Sequence, residues 1–216
     1  MKRIIGLLTL AAMLVTPSLA FASGQGNVYV APKLIWGITQ MQGIKFSDDD
    51  DKWNKTGHSF GGALAVGYNF APVRAELEFA AFTEASGKVS WDDGSAKLKV
   101  QANTLFVNAY YDFATGTQFT PYVGAGLGLA MLNSKATWAT DDPDSGSLGS
   151  KNNTNFAWNV GAGVAYEVVQ NVSLDFGYRF AGLGKVRTKT DKDDDFHMKA
   201  KNIYQHQIML GMRFSF

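Results

Sequence analysis

The stretch from Ile203 to Phe216 constrains the fold more than any other. Tyr204, His206, Ile208, Leu210, Met212, Phe214 and Phe216 alternate with Gln205, Gln207, Met209, Gly211, Arg213 and Ser215. The first set is nearly all apolar and the second is small or polar apart from Met209. A period of two with one apolar face is the signature of a β-strand. A long strand at the end of a chain exposes unpaired backbone groups and is prone to mispairing. Closing it onto the first strand removes that edge. The rest of the chain is then expected to supply an even number of similar strands.

It does so on the same pattern. Strands are expected at 27–41, 58–70, 73–85, 97–113, 119–134, 155–168 and 172–185, with Ile203 to Phe216 as the eighth. In the second, Phe60, Leu64, Val66, Tyr68 and Phe70 share one face and Ser59, Gly61, Ala63, Ala65 and Gly67 the other. The fourth changes parity, with Leu98 and Val100 out of phase with Leu105, Val107, Ala109 and Tyr111. A bulge is therefore expected near Ala102 to Thr104. Turns at 71–72, 114–118 and 169–171 are short. Loops at 42–57, 86–96, 135–154 and 186–199 are long and polar. Long and short connections alternate strictly, which is the arrangement of an eight-stranded antiparallel up-and-down transmembrane β-barrel with long loops outside the cell.

Aromatic residues give an independent check. Tyr68, Phe70, Tyr111, Phe113, Phe119, Tyr166, Phe214 and Phe216 lie on the apolar face near the short turns. Trp36, Phe60, Phe156, Trp158, Phe180 and Tyr204 lie on that face toward the loops. Two belts around an aliphatic band are what two membrane interfaces select. A soluble lipocalin-type barrel would turn its apolar residues inward, and it explains neither the belts nor the final phenylalanine. Met1-Lys2-Arg3, the apolar run from Ile4 to Val15 and the Ala20-Phe21-Ala22 end read as a secretory signal peptide over 1–22, with the barrel domain at 23–216. That run is short for a membrane-spanning helix. Removing Lys2 and Arg3 lowers the basic count from 20 to 18 against 19 acidic residues, so the formal charge passes from +1 to −1. This charge is no footprint for nucleic acid. The chain has no cysteine, so disulfides play no part in its stability.

Several segments resemble the opacity-type surface antigens, which group with the barrel domain of outer-membrane protein A. They are Pro121-Tyr122-Val123-Gly124-Ala125-Gly126-Leu127-Gly128, Gly161-Ala162-Gly163-Val164-Ala165-Tyr166, Asn171 to Phe180, Val73-Arg74-Ala75-Glu76-Leu77-Glu78 and Leu210 to Phe216. The resemblance covers the strands and leaves out the loops. It implies an outer-membrane location and contact with outer-membrane lipids and lipopolysaccharide. It also implies a monomer inserted by the barrel assembly machinery, for which Phe214 and Phe216 resemble the assembly signal. Such barrels include adhesins, evasion factors, structural proteins and a few enzymes.

The inward face carries charge. Lys33, Arg74, Glu76, Glu78, Asp175, Arg179 and Arg213 are expected to form a lumen network, with Glu84, Asp112 and Glu167 as further inward acids. An eight-stranded barrel is just wide enough for its own side chains, so these charges must pair. They form either a structural plug or a gate in which Glu76 and Glu78 exchange partners among Arg179, Arg213 and Lys33. The loops carry Trp53, Trp91 and Trp138, which suit contact with an extracellular or host ligand. The acidic runs Asp48 to Asp51, Asp141-Asp142-Pro143-Asp144 and Asp193 to Asp195 could hold calcium, although none has a full calcium-loop spacing. A lipid-modifying enzyme would need a histidine beside a serine or carboxylate. His58 and Ser59 fall on opposite faces, His197 is in a loop, and His206 faces lipid. The sequence therefore points to a non-enzymatic surface barrel without cofactor, metal or catalytic residues. Its loops are expected to act in adhesion, host interaction or envelope integrity, and the runner-up reading is a narrow ion or solute channel.

Overall fold

The computed structural model describes residues 27–45, 53–91, 94–140, 146–187 and 199–216. Their regular elements are β1 (Val28–Lys45), β2 (Trp53–Asn69), β3 (Val73–Phe82), β4 (Ala85–Trp91), β5 (Gly94–Asp112), β6 (Phe119–Thr140), β7 (Gly146–Val169), β8 (Val172–Arg187) and β9 (Lys199–Ser215). Neighbours pair antiparallel in the order β3-β2-β1-β9-β8-β7-β6-β5-β4, and β3 also pairs with β5, so the sheet closes. β3 and β4 are two segments of one stave, which makes eight staves. The first and last strands meet as expected, from Tyr29 opposite Ser215 to Lys45 opposite Lys199. The Phe216 amide donates to the Val28 carbonyl at 2.9 Å. Closure leaves no edge in the bilayer, where an unpaired backbone group would cost several kcal/mol. The expected signal segment at 1–22 lies outside the described residues.

Alternation places the apolar set outside. Leu34, Phe60, Val107, Leu127, Phe156 and Phe176 are each more than half exposed, while β3 buries every second residue. An apolar band running round a whole barrel is tolerated only against lipid. Aromatic pairs bound the band at both rims. At the short-turn rim Tyr68 packs on Phe70 and Phe119 on Tyr166, with ring centroids 4.6 and 4.8 Å apart. At the other, Trp158 and Tyr204 flank Phe180 at 5.8 and 5.4 Å.

The structure departs from the expected strand layout in two places. The first concerns the loops, much of which is strand. β6 has 22 residues and β7 has 24, whereas crossing a bilayer takes about 9–11 tilted residues. The staves therefore continue beyond the membrane as paired hairpins, and 46–52, 92–93, 141–145 and 188–198 lie outside the described residues. Above the bilayer neither face meets lipid, so the apolar alternation that marks a strand fades while the ladder continues. The second correction is the bulge. β5 pairs with β6 in one unbroken register from Gly94 opposite Thr140 to Asp112 opposite Tyr122. The irregularity sits on the facing stave at Thr83 and Glu84, between Ala81 opposite Asn103 and Ala85 opposite Val100. Val100 is inward because the upper lumen is apolar.

Candidate functional site: the filled lumen and the outer hairpins

From the short-turn end upward, the lumen first opens as a vestibule of about 310 Å³, lined by residues that include Asn69, Asp112, Thr120, Glu167 and Arg213. Above it lies the charged layer. Lys33 Nζ on β1 bridges Glu76 at 2.5 Å and Glu78 at 2.7 Å, both on β3. Arg179 Nη1 on β8 meets the second carboxylate oxygen of Glu78 at 2.7 Å. In the closed order β3 and β8 are four staves apart in a ring of eight. The Glu78–Arg179 pair is therefore a strut across the full width of the barrel. Two further pairs link neighbouring staves, Arg74 to Asp112 at 2.6 Å and Arg213 to Asp175 at 2.7 Å. Lys33, Arg74, Arg179 and Arg213 thus face Glu76, Glu78, Asp112 and Asp175, four charges against four. Balance of this kind is what makes buried charge tolerable.

Tyrosines knit the layer together. The Tyr29 hydroxyl donates to Glu76 at 3.1 Å and the Tyr110 hydroxyl to Glu76 at 3.3 Å. The Arg74 guanidinium lies 4.7 Å from the Tyr110 ring centroid and 5.1 Å from that of Tyr122. Each tyrosine sits opposite a glycine on the next stave: Tyr29 opposite Gly67, Tyr110 opposite Gly124, Tyr122 opposite Gly163. The ring lies over the space a side chain would fill, and a Cβ added at Gly67 would come within 2.2 Å of the Tyr29 ring. A cavity of about 20 Å³ remains beside Lys33, Arg74, Tyr110 and Asp175. That is room for about one water molecule.

Higher up the charges give way to neutral hydrogen bonds. Arg179 Nε donates to Gln207 Oε1 at 2.6 Å, and the Gln207 amide donates to Gln205. Gln205 Nε2 donates to Thr39 and Ser59 hydroxyls at 3.1 Å each. The top of the lumen is apolar, filled by Met41, Phe82, Val100, Leu132, Leu183 and Ile203. A cavity of about 10 Å³ is left there. Vestibule, ion pairs, amides and apolar side chains follow one another, and among the described residues the two cavities between them each have room for about one water.

All seven residues of the expected lumen network therefore come together, with partners that differ from the expected exchange set. Arg213 pairs with Asp175 rather than with either glutamate, while Arg74 takes Asp112. Of the other acids expected inward, Glu84 is instead exposed: the break between β3 and β4 turns it out of the lumen, and it meets Lys99 at 3.3 Å with both side chains about two-fifths exposed. Trp53, Trp91 and Trp138, expected on loops, occupy ladder positions instead. Trp53 opens β2, Trp91 closes β4 opposite Gly94, and Trp138 on β6 stands between Ala96 and Gly146. Their side chains lie outside the described residues, as do the acidic runs at 48–51, 141–144 and 193–195. His58 stacks outward on Trp36, and His206 Nδ1 lies 2.6 Å from the Tyr178 hydroxyl on the lipid face.

An apolar outer band between aromatic rims, staves closed without an edge and a lumen packed with its own side chains define a transmembrane barrel of the bacterial outer membrane. The chain belongs to the outer-membrane protein β-barrel domain family, whose model matches residues 7–216. It is 31% identical over 223 residues to the outer membrane protein PagN of Salmonella typhimurium, covering 91% of this chain and 93% of that protein. It is 29% identical to a candidate adhesin of Rickettsia conorii, covering 84% and 78%. Among solved structures it superposes on Neisserial surface protein A with a TM-score of 0.54 at 21% identity, covering 88% of this chain and 97% of that one. The OprG barrel of Pseudomonas aeruginosa gives a TM-score of 0.52 at 16% identity, with the same coverage. The two structural likenesses speak to the fold. The resemblance to opacity-type and outer-membrane protein A-like barrels holds, and the protein resides in the outer membrane.

Proposed function

We propose that this barrel is a non-enzymatic adhesin whose extracellular hairpins bind a ligand at the host surface. The observation that carries the reading is the strut from Glu78 to Arg179 beneath an apolar cap, because a lumen filled in this way leaves the outer hairpins as the variable working surface. The naming of a Rickettsia relative as a candidate adhesin supports it. Strands that continue past the bilayer hold the hairpin tips in fixed register, which lowers the entropy cost of binding. Trp53, Trp91 and Trp138 near those tips are of the residue type that dominates binding hot spots. In this reading the protein acts as a monomer, and Phe214 and Phe216 engage the assembly machinery.

The test is attachment of non-adherent bacteria expressing the barrel to cultured epithelial cells. Trimming the β6–β7 hairpin above the Asn133–Asn152 pair, and its three counterparts, should abolish attachment while the folded band persists on unheated gels. Attachment undiminished by all four trims would refute the adhesin reading. Planar-bilayer recordings of the inserted wild-type protein should be silent. Discrete openings that change in Glu78 or Arg179 variants would favour a channel instead.

A further inference from the structure

The vestibule at the short-turn end carries polar groups that the lumen network leaves unused. Its volume of about 310 Å³ falls at the lower end of the range for ligand pockets, about 300–1,000 Å³. Short turns face the periplasm, so the vestibule opens on that side. Asp112 and Arg213 line it, and their partners Arg74 and Asp175 line the water-sized cavity above. The pairs Arg74–Asp112 and Arg213–Asp175 are therefore the partition between the vestibule and the filled lumen. A small solute entering from the periplasm stops at that partition.

Three staves bring complementary groups to one rung of the vestibule wall. Glu167 on β7 stands opposite Ser173 on β8, and Ser173 stands opposite Arg213 on β9. All three line the vestibule. Glu167 is exposed, and its carboxylate has no ion-pair partner among the described residues. Arg213 uses Nε and Nη2 on Asp175, at 3.2 and 2.7 Å. A guanidinium has five N–H donors, so the Nη1 edge of Arg213 is left for another acceptor. Asp112 adds an unanswered acceptor, because its Oδ2 takes Arg74 at 2.6 Å while Oδ1 is buried without a hydrogen-bond partner. With Asp112 and Arg213 each paired, Glu167 gives the vestibule one uncompensated negative charge, and the free guanidinium edge lies at the other end of the same rung.

The width of the rung sets the size of what fits. Neighbouring strands are about 4.8 Å apart, so Glu167 and Arg213 leave the wall about 10 Å from each other, with Ser173 between them. An ammonium and a carboxylate on one carbon span about 3.5 Å, the length of one residue. A charge-assisted hydrogen bond of about 2.8 Å at each end brings the total to about 9 Å. A dipeptide, spanning about 7 Å, would need about 13 Å. A ligand with a single charge would leave one end of the rung unanswered.

We propose that the periplasmic vestibule binds a free α-amino acid, with its ammonium on Glu167 and its carboxylate on Arg213 Nη1 and the Ser173 hydroxyl. The site is independent of the adhesin reading, since it faces the opposite side of the membrane. The bound amino acid does not pass, because the cavity above has room for about one water.

The experiment titrates the refolded full barrel in nanodiscs with alanine and follows backbone amide signals by NMR. Signals of Glu167, Ser173 and Arg213 should shift and saturate, while those of the outer hairpins stay in place. N-acetylalanine lacks the ammonium and alaninamide lacks the carboxylate; each should bind about tenfold more weakly, the worth of one charge-assisted contact. The Glu167→Gln variant should lose about tenfold for alanine and little for N-acetylalanine. Glu84→Gln, at the far end of the barrel, should bind like wild type. Gel mobility before and after heating checks that each variant is folded. Alanine binding by Glu167→Gln within twofold of wild type, or equal binding of the two blocked forms and alanine, overturns the proposal. Tighter binding of dialanine than of alanine overturns the assignment to a single amino acid.

Discussion

Replacing Arg179 by alanine should be among the most damaging single changes to this barrel. The guanidinium is fully buried, holds Glu78 from the opposite wall at 2.7 Å and donates to Gln207 at 2.6 Å. Removing one member of a buried pair costs about 3–5 kcal/mol, because the other charge is left behind. Glu78 retains Lys33 at 2.7 Å, which argues for the lower end, while Gln207 loses a donor worth about 1 kcal/mol. The expected loss is therefore about 3–4 kcal/mol. In urea unfolding from lipid vesicles, with a slope of about 2 kcal/mol per molar, the midpoint should fall by about 1.5–2 M. Glu78→Ala in the same chain should recover part of the loss, since three cations then face three anions, and a double-mutant cycle should show a coupling of at least about 1 kcal/mol. The variant should stay silent in bilayers because Met41, Phe82, Leu132 and Ile203 still cap the lumen. A midpoint within about 0.3 M of wild type, or strictly additive single changes, would refute the strut.

Two further changes probe the wall. Gly67→Ala drives a methyl into the Tyr29 ring and should cost about 1–3 kcal/mol in the same unfolding assay; in a Tyr29→Ala background the cost should fall below about 0.5 kcal/mol. Leu34→Lys, on the lipid face at 69% exposure, should cost about 2–4 kcal/mol, whereas Gln42→Lys on the outer hairpin should stay within about 0.5 kcal/mol.

What could be read from the sequence follows from what the bilayer enforces. Lipid demands an apolar residue at every second position, so within the bilayer the eight staves and the inward phase of the seven lumen charges are legible from alternation. Partner choice within the lumen is not. Whether Arg74 meets Asp112 or a glutamate depends on the stagger of β3 against β5, which aligns Arg74 with Tyr110 and leaves Asp112 within reach, and alternation carries no information about stagger. The tyrosine–glycine pairs were hidden for the same reason. Tyr29 and Gly67 are 38 positions apart, and the register of β1 against β2 alone makes them neighbours. The apolar cap defeats alternation at Val100. In a membrane strand a hydrophobic residue implies a lipid-facing position, so its phase shift implies a bulge, whereas Val100 packs inward beside Phe82 and Leu132. The hairpins leave no mark in the sequence because, beyond the membrane, ladder bonds persist without any rule of composition.

Lipid and water divide the work of the chain. Inside the barrel each residue is tied to one on another stave, as Glu78 is to Arg179, so a change there propagates to the opposite wall. Above the membrane the same staves continue, but their side chains answer to water, and the register set below is handed upward through unbroken ladders such as β5 with β6. A surface substitution at a hairpin then changes what is presented without changing how it is held. A barrel required to conduct would lose this separation, because its lumen would have to carry both stability and traffic. With the lumen closed by paired charge and apolar packing, the outer hairpins are free to vary, which is the arrangement an adhesive surface needs.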